Sequence, residues 1–270
     1  MESVDKYIPS HPLLKQKVAS IVFWRRTEDE KNPAVFLPNN ICGFGFTLSG
    51  SLLVKNDEEF QEMPAFGTRN TLQKPSEILT KGDFLNISVR LVIPNGLSLF
   101  TKIPMHLVYE KEAFSLTDIF NENEINSLVE KLYEAKTDSQ KVVVLESFIV
   151  DKIINPMPEI FIGIITSIHL SKGHITVSQL SKQFYVSERS INRYFNKYVG
   201  INPNVYINLI RFRAVIDLQN TNSNILHHAL DVGYYDQSHF IKHFKEFSTV
   251  TPSQFFSLNS DNSLSDFYNI

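Results

Sequence analysis

Two similar segments near the C-terminus constrain the fold of this chain more than any other feature. The first is ITVSQLSKQFYVSERSINRYFNKYVGINP, at residues 175–203, and the second is ILHHALDVGYYDQSHFIKHFKEFSTVTP, at residues 225–252. Each segment predicts a short helix, a tight turn and a second helix with a basic and aromatic end, followed by a proline that opens the next helix. This order is typical of the helix-turn-helix unit, so the sequence predicts two such units in one helical region.

In both units the apolar residues are spaced so that they bury a single face. The inward-facing residues are Leu180, Ile191 and Phe195 in the first unit, and Ala229, Phe240 and Phe244 in the second. Gly233 can adopt the left-handed conformation that the turn of the second unit needs. The outer face of each second helix is then free to enter the major groove of DNA, which is wide enough to admit a helix.

The charge distribution favours a polyanionic partner for this region. The whole chain has a net charge of −3, yet residues 160–257 hold nine Lys and Arg against five Asp and Glu. A basic segment inside an acidic protein favours a partner such as nucleic acid, although a charged helix face is often simply solvated. A long helix is predicted from Pro203 to about Gln219, and we expect its Arg211 and Arg213 to form ion pairs or packing contacts.

Roughly the first 115 residues have the pattern of a β-rich domain. Short apolar stretches alternate with turn signals such as Lys81-Gly82-Asp83, which predicts several short strands in a sandwich or barrel. The predicted strands are Ser20–Trp24, Gly43–Leu48, Ser51–Val54, Asp83–Val92 and Met105–Tyr109. A short helix is expected over Leu13–Val22, ahead of the first strand.

Two helices are predicted between the β-rich and the helix-turn-helix regions. Asn123 is the expected N-cap of the first helix, and Thr137 precedes the second. Their apolar residues either pack on the sheet of the same domain or form a dimer interface; they are Ile125, Leu128, Leu132, Val142 and Leu145. Pro156 and Pro158 then break the helical pattern, which predicts one domain at residues 1–155 and a second at residues 156–270.

Longer ordered matches extend across both repeated units. VSERSINRYFNKYVGINPNVYI, at residues 186–207, and GYYDQSHFIKHFKEFSTVTPSQF, at residues 233–255, resemble the DNA-binding domain of the AraC/XylS family of bacterial transcription regulators. Tyr185 stands where the first turn of this family usually has glycine, so we expect strain in that turn. In the N-terminal half, YIPSHPLLKQKVASIVFW, FLPNNICGFGF and FLNISVRLVIPNGLSLF resemble the cupin-like sensor domain of two-domain members.

This resemblance implies an α+β protein in two parts. Residues 1–155 would form a β-rich, cupin-like sandwich or barrel with two helices, for sensing or dimerisation, and residues 156–270 an all-α double helix-turn-helix domain. The implied function is sequence-specific, DNA-binding regulation of transcription in the cytoplasm. The implied partners are double-stranded DNA, RNA polymerase, a small effector and a second copy of the chain.

The resemblance also implies which side chains contact DNA. The outward positions on the second helices are Glu188, Arg189, Ser190, Asn192, Arg193 and Lys197 in the first unit, and Gln237, Ser238, His239, Lys242 and Lys245 in the second. Arg pairs in a bidentate manner with guanine, and Asn or Gln with adenine, so these residue types suit base reading. For His239 the alternative is a hydrogen bond at the start of its helix, where Asp236 is the expected N-cap.

The sequence contains no catalytic or metal-binding constellation. The N-terminal half holds only His11 and His106, and Cys42 is the single cysteine, so we expect no metal site, zinc cluster or internal disulfide. The sequence contains no apolar run of about 18 residues, so we expect no membrane span. It also contains neither a phosphate loop nor a G-x-G-x-x-G motif. We therefore expect neither a cofactor nor an enzymatic activity.

The aromatic residues of the N-terminal half leave two interpretations open. They either fill the interior of the domain or line a pocket for a small apolar or neutral effector; the residues in question are Trp24, Phe36, Phe44, Phe46 and Phe84. A different class of function also remains, in which a small-molecule-binding or enzymatic cupin-like module is joined to a helical domain for protein interactions. The absence of catalytic residues weighs against that alternative.

Overall fold

The structure is a computed structural model of the chain. It describes residues 2–15, 17–29, 33–39, 42–56, 58–69, 75–91, 96–108, 113–154, 157–217 and 225–258. Several positions that enter the expectations above lie outside this description: Val92, Tyr109, Pro156, Gln219 and the side chain of Cys42.

Eight antiparallel strands form one sheet in the described part of the N-terminal half. They are β1 (Glu2–Tyr7), β2 (Val18–Arg26), β3 (Ala34–Phe36), β4 (Cys42–Asn56), β5 (Glu59–Glu62), β6 (Phe66–Arg69), β7 (Ser76–Leu91) and β8 (Ala113–Ser115). The strand order is β1-β2-β7-β4-β6-β8, while β3 pairs with β7 and β5 pairs with β4. The β-rich character predicted for this half is confirmed.

β4 and β7 are single strands of 15 and 16 residues, where the sequence predicted shorter strands separated by a turn. The predicted turn Lys81-Gly82-Asp83 is wrong, because it lies inside β7. Gly82, with a φ of +75°, lies next to Gly50 of β4, with a φ of +66°. Both angles favour glycine, and the strand pairing shifts register beside Gly50. The sheet therefore bends at these glycines instead of ending.

The bend folds the far half of the sheet over Trp24. Trp24, Phe84 and Ile78 form a small buried cluster, with Phe36 and Leu52 packed against it. The rings of Trp24 and Phe84 meet edge to face, with their centroids 4.9 Å apart. The sheet thus closes on itself as the expected sandwich does.

Two local predictions in this half are wrong. Leu13–Val22 is a short turn followed by β2, in which Phe23 is fully buried in the core. Met105–Tyr109 does not form a strand, because Met105–Val108 is a one-turn helix, α1, that follows Pro104. Proline fixes a helical φ and cannot donate to a sheet ladder, which favours a helix start at this point.

Helices α2 (Glu122–Glu134) and α3 (Asp138–Lys152) pack against each other. Thr137 and Gln140 form a capping box at the start of α3, whereas α2 begins earlier than predicted, with Asn121 instead of Asn123 as its N-cap. The apolar residues considered for a dimer interface are all buried in the core of the chain itself: Ile125, Leu128, Leu132, Val142 and Leu145. Packing within the domain accounts for these residues, so they do not form an exposed dimer surface.

Seven helices follow in the described part of the C-terminal half. They are α4 (Glu159–Leu170), α5 (Val177–Phe184), α6 (Glu188–Tyr198), α7 (Pro203–Ile216), α8 (Ile225–Asp231), α9 (Gln237–Ser248) and α10 (Pro252–Leu258). Thr176 and Gln179 form a capping box at α5, and Asn202 caps α7, which begins at Pro203 as predicted. The 14 residues of α7 span about 21 Å. Because α7 contacts α4, α6, α8 and α9, the helical half is built around it.

The two halves of the chain share one continuous apolar core. Buried residues from Leu14 near the N-terminus to Phe255 in α10 belong to a single cluster. α1 and the 3-10 helix Gly96–Leu99 both contact α6. The Nδ1 atom of His106 in α1 lies 3.2 Å from the carbonyl oxygen of Asn196 in α6. The apolar core therefore continues across the boundary predicted near residue 156.

Candidate nucleic-acid interface

The first helix-turn-helix unit consists of α5, a short turn and α6. Tyr185 ends α5 with a left-handed backbone, φ 53°, and its side chain is 95% exposed. Ser187 caps α6 by accepting a hydrogen bond of 3.1 Å from the backbone N–H of Ser190. The Ser181 hydroxyl donates to the Val186 carbonyl oxygen at 2.6 Å. These bonds fix α6 against α5, and the non-glycine turn between them is strained, as the sequence predicts.

One face of α6 is buried and the opposite face is exposed. Ile191, Phe195 and Tyr198 are buried, and the Phe195 ring meets that of Phe161 in α4 with centroids 5.5 Å apart. The side chains expected to contact DNA lie away from this core: Glu188, Arg189, Arg193 and Lys197 are exposed, while Ser190 and Asn192 are half-buried. The face that α6 offers to a partner is thus dominated by charged residues.

Three cations on this face have no acidic partner within the described residues. Arg189, Arg193 and Lys197 form no ion pair there. The Arg193 guanidinium carbon lies 6.0 Å from the ring centroid of Tyr194, and the Lys197 Nζ lies 4.9 Å from that of Tyr198. Such ring contacts hold a cation without neutralising its charge, so this face attracts polyanions.

The two half-buried residues of the predicted set already have partners inside the protein. The Asn192 side-chain amide donates to the Glu188 carbonyl oxygen at 2.8 Å and accepts from the Asn202 side chain at 3.4 Å. The hydroxyl oxygens of Ser190 and Ser187 lie 2.9 Å apart. The side chains of Asn192 and Ser190 therefore help to hold the ends of α6 and α7. The spacing of outward residues along α6 did not predict this role.

The second unit repeats the arrangement with α8, a turn at Gly233 and α9. Gly233 has a φ of +92°, and a Cβ atom there would lie 2.7 Å from the His174 ring, so the turn requires glycine. Asp236 caps α9 by accepting from the His239 N–H at 2.7 Å, as predicted, while the His239 ring accepts from the Tyr235 N–H at 3.4 Å. The predicted contact residues of α9 are all exposed: Gln237, Ser238, His239, Lys242 and Lys245.

The two arginines of α7 have structural partners, as the sequence predicts. Arg211 donates to the Gly173 carbonyl oxygen at 2.7 Å, and its guanidinium carbon lies 5.6 Å from the ring centroid of Tyr234. Arg213 is buried and forms an ion pair of 3.3 Å with Asp217. Arg211 and Arg213 therefore brace the helical domain, whereas the cations of α6 and α9 named above are exposed.

A buried histidine lies behind the exposed face of α9. The Nδ1 atom of His243 lies 2.9 Å from the Tyr234 hydroxyl oxygen. Burial, with smaller contributions from the charges of Arg211 and His239, lowers the pKa of His243 to about 4. Burial also raises the pKa of Tyr234, so the pair is neutral near pH 7. Its position three residues after the buried Phe240 is the sequence signal that identifies His243 as a core residue.

The five aromatic residues considered for an effector pocket do not line one cavity. Trp24, Phe36 and Phe84 belong to the small cluster inside the bend of the sheet, whereas Phe44 and Phe46 are buried in the main core. The interpretation in which they fill the interior accounts for both groups. Among the described residues, no group of three or more His, Cys, Asp and Glu side chains could hold a metal ion. None of the helices described here is long and apolar enough to cross a membrane.

Comparison with known proteins agrees with this geometry. A family model described as a helix-turn-helix domain matches residues 180–257, which begin within α5, end within α10 and contain both α6 and α9. Residues 180–257 therefore match a helix-turn-helix domain by sequence as well as by geometry.

Two curated regulators are similar to short stretches of this chain, of 80 and 71 residues. An uncharacterized HTH-type transcriptional regulator of Haemophilus influenzae is 30% identical over 80 residues, which are 29% of this chain and 27% of that protein. The HTH-type transcriptional regulator MtrA of Neisseria gonorrhoeae is 34% identical over 71 residues, 26% of this chain and 24% of the relative. The chain thus spans about a quarter of the length of each relative.

Two solved structures of regulators align with more of the chain. ToxT from Vibrio cholerae is 17% identical, with a TM-score of 0.44, over 88% of this chain and 97% of that one. The AraC-like transcriptional activator CuxR is 17% identical, with a TM-score of 0.30, over 82% of this chain and 89% of that one. Both alignments therefore cover more of the chain than the helix-turn-helix match does.

Proposed function

We propose that this protein is a sequence-specific, DNA-binding transcription regulator that reads DNA with α6 and α9. The observation that most supports the proposal is the exposed face of α6. Three cations lie there, opposite a buried face, without acidic partners among the residues that the structure describes. α9 repeats this arrangement, with Lys242 and Lys245 exposed on the side away from Phe240 and Phe244. A helix with one charged face and one anchored face fits the major groove, and two such helices fit two segments of it.

The internal contacts divide the proposed roles within α6. Arg189 and Arg193 are free to reach base edges, where a guanidinium pairs with guanine through two hydrogen bonds. Lys197 lies four residues beyond Arg193, one helical turn on, and is proposed to hold phosphate. Asn192 and Ser190 already form hydrogen bonds inside the protein. They can contact DNA only if these hydrogen bonds are shared with the DNA or replaced by hydrogen bonds to it. The first unit therefore reads sequence chiefly through its two arginines.

In α9 the proposed base readers are Gln237 and Lys242. Gln237 is the first residue of the helix and is exposed, which suits an amide that pairs with adenine. Lys245, close to the C-terminal end of the helix, is proposed to contact phosphate together with Ser238. His239 has its ring nitrogen committed to the Tyr235 N–H, so its proposed contact uses the other ring nitrogen.

The N-terminal domain is proposed to control this DNA-binding activity. The regulator would act in the cytoplasm with RNA polymerase as a partner, and its N-terminal domain would bind a small effector or a second copy of the chain. Support comes from the contact of α1 with α6, which joins the sheet to the first reading helix. A ligand-dependent shift of the sheet would therefore reach α6 without passing through a flexible linker.

The salt dependence of binding tests the proposal. Two of the five exposed basic residues on α6 and α9, Lys197 and Lys245, are proposed to hold phosphate. Between two and five phosphates would therefore be neutralised, which predicts a log–log slope of affinity against salt of about −2 to −5. Electrophoretic mobility shifts with DNA from upstream of the protein's own coding sequence provide the measurement. Replacing Lys136, an exposed lysine after α2, by alanine is the matched control and should leave the slope unchanged. A slope near zero would contradict DNA binding by these helices.

A further inference from the structure

Two tyrosines in the helical half are almost fully exposed, one in the turn of each helix-turn-helix unit. Tyr185 lies between α5 and α6 and is 95% exposed, and Tyr235 lies between α8 and α9 and is 89% exposed. They are the two most exposed of the large apolar and aromatic residues that the structure describes. One exposed aromatic residue is ordinary on a protein surface. The same residue type exposed in both turns points to a shared function.

The backbone of the first turn holds Tyr185 in its exposed position. The φ of Tyr185, 53°, lies in the left-handed region, where a Cβ atom is disfavoured. Its N–H donates to the Ser181 carbonyl oxygen, and the Ser181 hydroxyl donates to the Val186 carbonyl oxygen at 2.6 Å. Glycine would relieve this strain, as Gly233 does in the second turn. The chain thus retains strain at a residue whose side chain contributes little to packing, which points to a role outside the folded domain.

The second turn contains two consecutive tyrosines with opposite surroundings. Tyr234 is buried, and its hydroxyl oxygen lies 2.9 Å from the Nδ1 atom of His243, whereas Tyr235 is exposed. The Tyr235 N–H donates to the His239 ring at 3.4 Å, so a residue of α9 itself holds the backbone of Tyr235. The side chains of Tyr185 and Tyr235 have no hydrogen-bond or ring partner among the described residues. Both hydroxyls are therefore available to a partner molecule.

Both tyrosines lie close to the N-terminal ends of the proposed reading helices. Tyr185 is three residues before Glu188, the first residue of α6, and Tyr235 is two residues before Gln237, the first residue of α9. Because consecutive Cα atoms are 3.8 Å apart, these separations are at most about 11 Å and 8 Å. The major groove is about 12 Å wide. A residue this close to the end of a helix seated in the groove reaches the groove wall, which consists of sugar and phosphate.

We propose that Tyr185 and Tyr235 contact the sugar–phosphate backbone of DNA, each donating a hydrogen bond from its hydroxyl to a phosphate oxygen. This inference rests on the proposed function and adds two uncharged contacts to the exposed cations of α6 and α9. Tyrosine is among the side chains that bind phosphate in this way, and such contacts fix the register of a protein on the duplex without reading its sequence. The two turns flank the two reading helices, so one duplex reaches both tyrosines at once.

Replacing each tyrosine by phenylalanine removes the hydroxyl and keeps the ring. Tyr185→Phe and Tyr235→Phe should each weaken binding to operator and random DNA by similar factors, on the order of 3- to 10-fold. The log–log slope of affinity against salt should stay as in the wild type, because an uncharged donor releases no counterion. Tyr133→Phe is the matched control: Tyr133 is 60% exposed and lies in α2, so its variant should bind DNA as the wild type does.

Tyr185→Gly separates a contact with DNA from a structural role. Glycine relieves the left-handed strain and removes the ring, so this variant should unfold at a higher urea concentration than the wild type. It should also bind operator and random DNA at least as weakly as Tyr185→Phe does. A more stable variant with undiminished affinity for DNA would overturn the assignment of Tyr185, because the side chain would then have no part in binding. Fluorescence anisotropy with the full-length protein measures the affinities.

The remaining outcomes also decide the proposal. Undiminished affinity in either phenylalanine variant would overturn the assignment of that tyrosine. A loss confined to the operator would overturn the phosphate contact in favour of base reading. Normal DNA affinity with reduced transcription in a reconstituted reaction would overturn it in favour of a contact with RNA polymerase. In each of these cases salt-dependent DNA binding by the wild type would show that the proposed function survives, whereas a wild type that binds no DNA would contradict the proposed function itself.

Discussion

Replacing Arg193 by alanine tests whether α6 reads bases or only attracts phosphates. Arg193 is exposed and has no acidic partner among the described residues, so its loss leaves no buried charge and opens no cavity. The free energy of unfolding should therefore change by less than about 0.5 kcal/mol. The lost bidentate contact should cost about 1–3 kcal/mol on the true site, and far less on random DNA. The dissociation constant for the true site should accordingly rise about 5- to 150-fold.

Lys197→Ala is the matched comparison for this variant. Both residues are exposed, and both lie against a tyrosine ring of the same helix. Lys197 is proposed to contact phosphate, so its loss should weaken binding to specific and random DNA by similar factors and reduce the salt slope by about one. Fluorescence anisotropy with a labelled operator and a scrambled duplex, at several salt concentrations, measures both effects.

The two variants together can refute the assignment of roles. If Arg193→Ala weakens operator and random DNA equally, Arg193 holds phosphate, and base reading in this unit falls to Arg189. If Arg193→Ala melts several degrees below the wild type, the residue is a structural partner and the exposed-face argument fails. An Arg193→Lys variant keeps the positive charge but cannot form the bidentate contact. Compared with Arg193→Ala, it should recover affinity for random DNA without recovering specificity for the operator.

Two further predictions concern stability. Tyr185→Gly should raise the free energy of unfolding in urea by about 0.5–1 kcal/mol, because the left-handed turn strains tyrosine by more than glycine loses in backbone entropy; a decrease would contradict the strain. The folded-state pKa of His243, about 4, lies below the usual value of about 6.5, so the unfolded chain binds more protons between these values. Stability should therefore fall by up to about 3 kcal/mol as the pH drops from 6.5 to 4, and His243→Gln should flatten this dependence.

Local signals were sufficient to locate most helix starts. The capping pairs Thr137 with Gln140 and Thr176 with Gln179, and the Asn202-Pro203 start, act within four residues of chain, so they can be recognised without knowledge of the tertiary structure. The helical period likewise separated the buried from the exposed face of α6. What the period could not reveal is the bond from the Asn192 amide to the Glu188 carbonyl, because an outward position does not exclude a local partner.

The strands were harder to predict because the same short sequence pattern is compatible with two different structures. Lys81-Gly82-Asp83 suits a turn between two strands as well as a bend within one, and only the pairing of β7 with β4 decides between them. The alternation of Asn86, Ser88 and Arg90 with apolar residues is also typical of a solvent-facing strand. In the structure, the far half of the sheet folds over the side of β7 that carries Asn86, Ser88 and Arg90. This packing depends on residues far apart in the sequence, so the local pattern cannot predict it.

The contact of α1 with α6 limits how freely such regulators can exchange their parts. In a chimaera that joins halves of two different proteins at residue 156, a side chain from another protein would lie beside the carbonyl of Asn196, where His106 now lies. The exchange would also interrupt the core that the two halves share. The smallest exchangeable module is therefore the helical half together with α1 and the 3-10 helix Gly96–Leu99. During evolution, substitutions in Met105–Val108 and in α6 would be selected as pairs, so the N-terminal half and the helical half would diverge together.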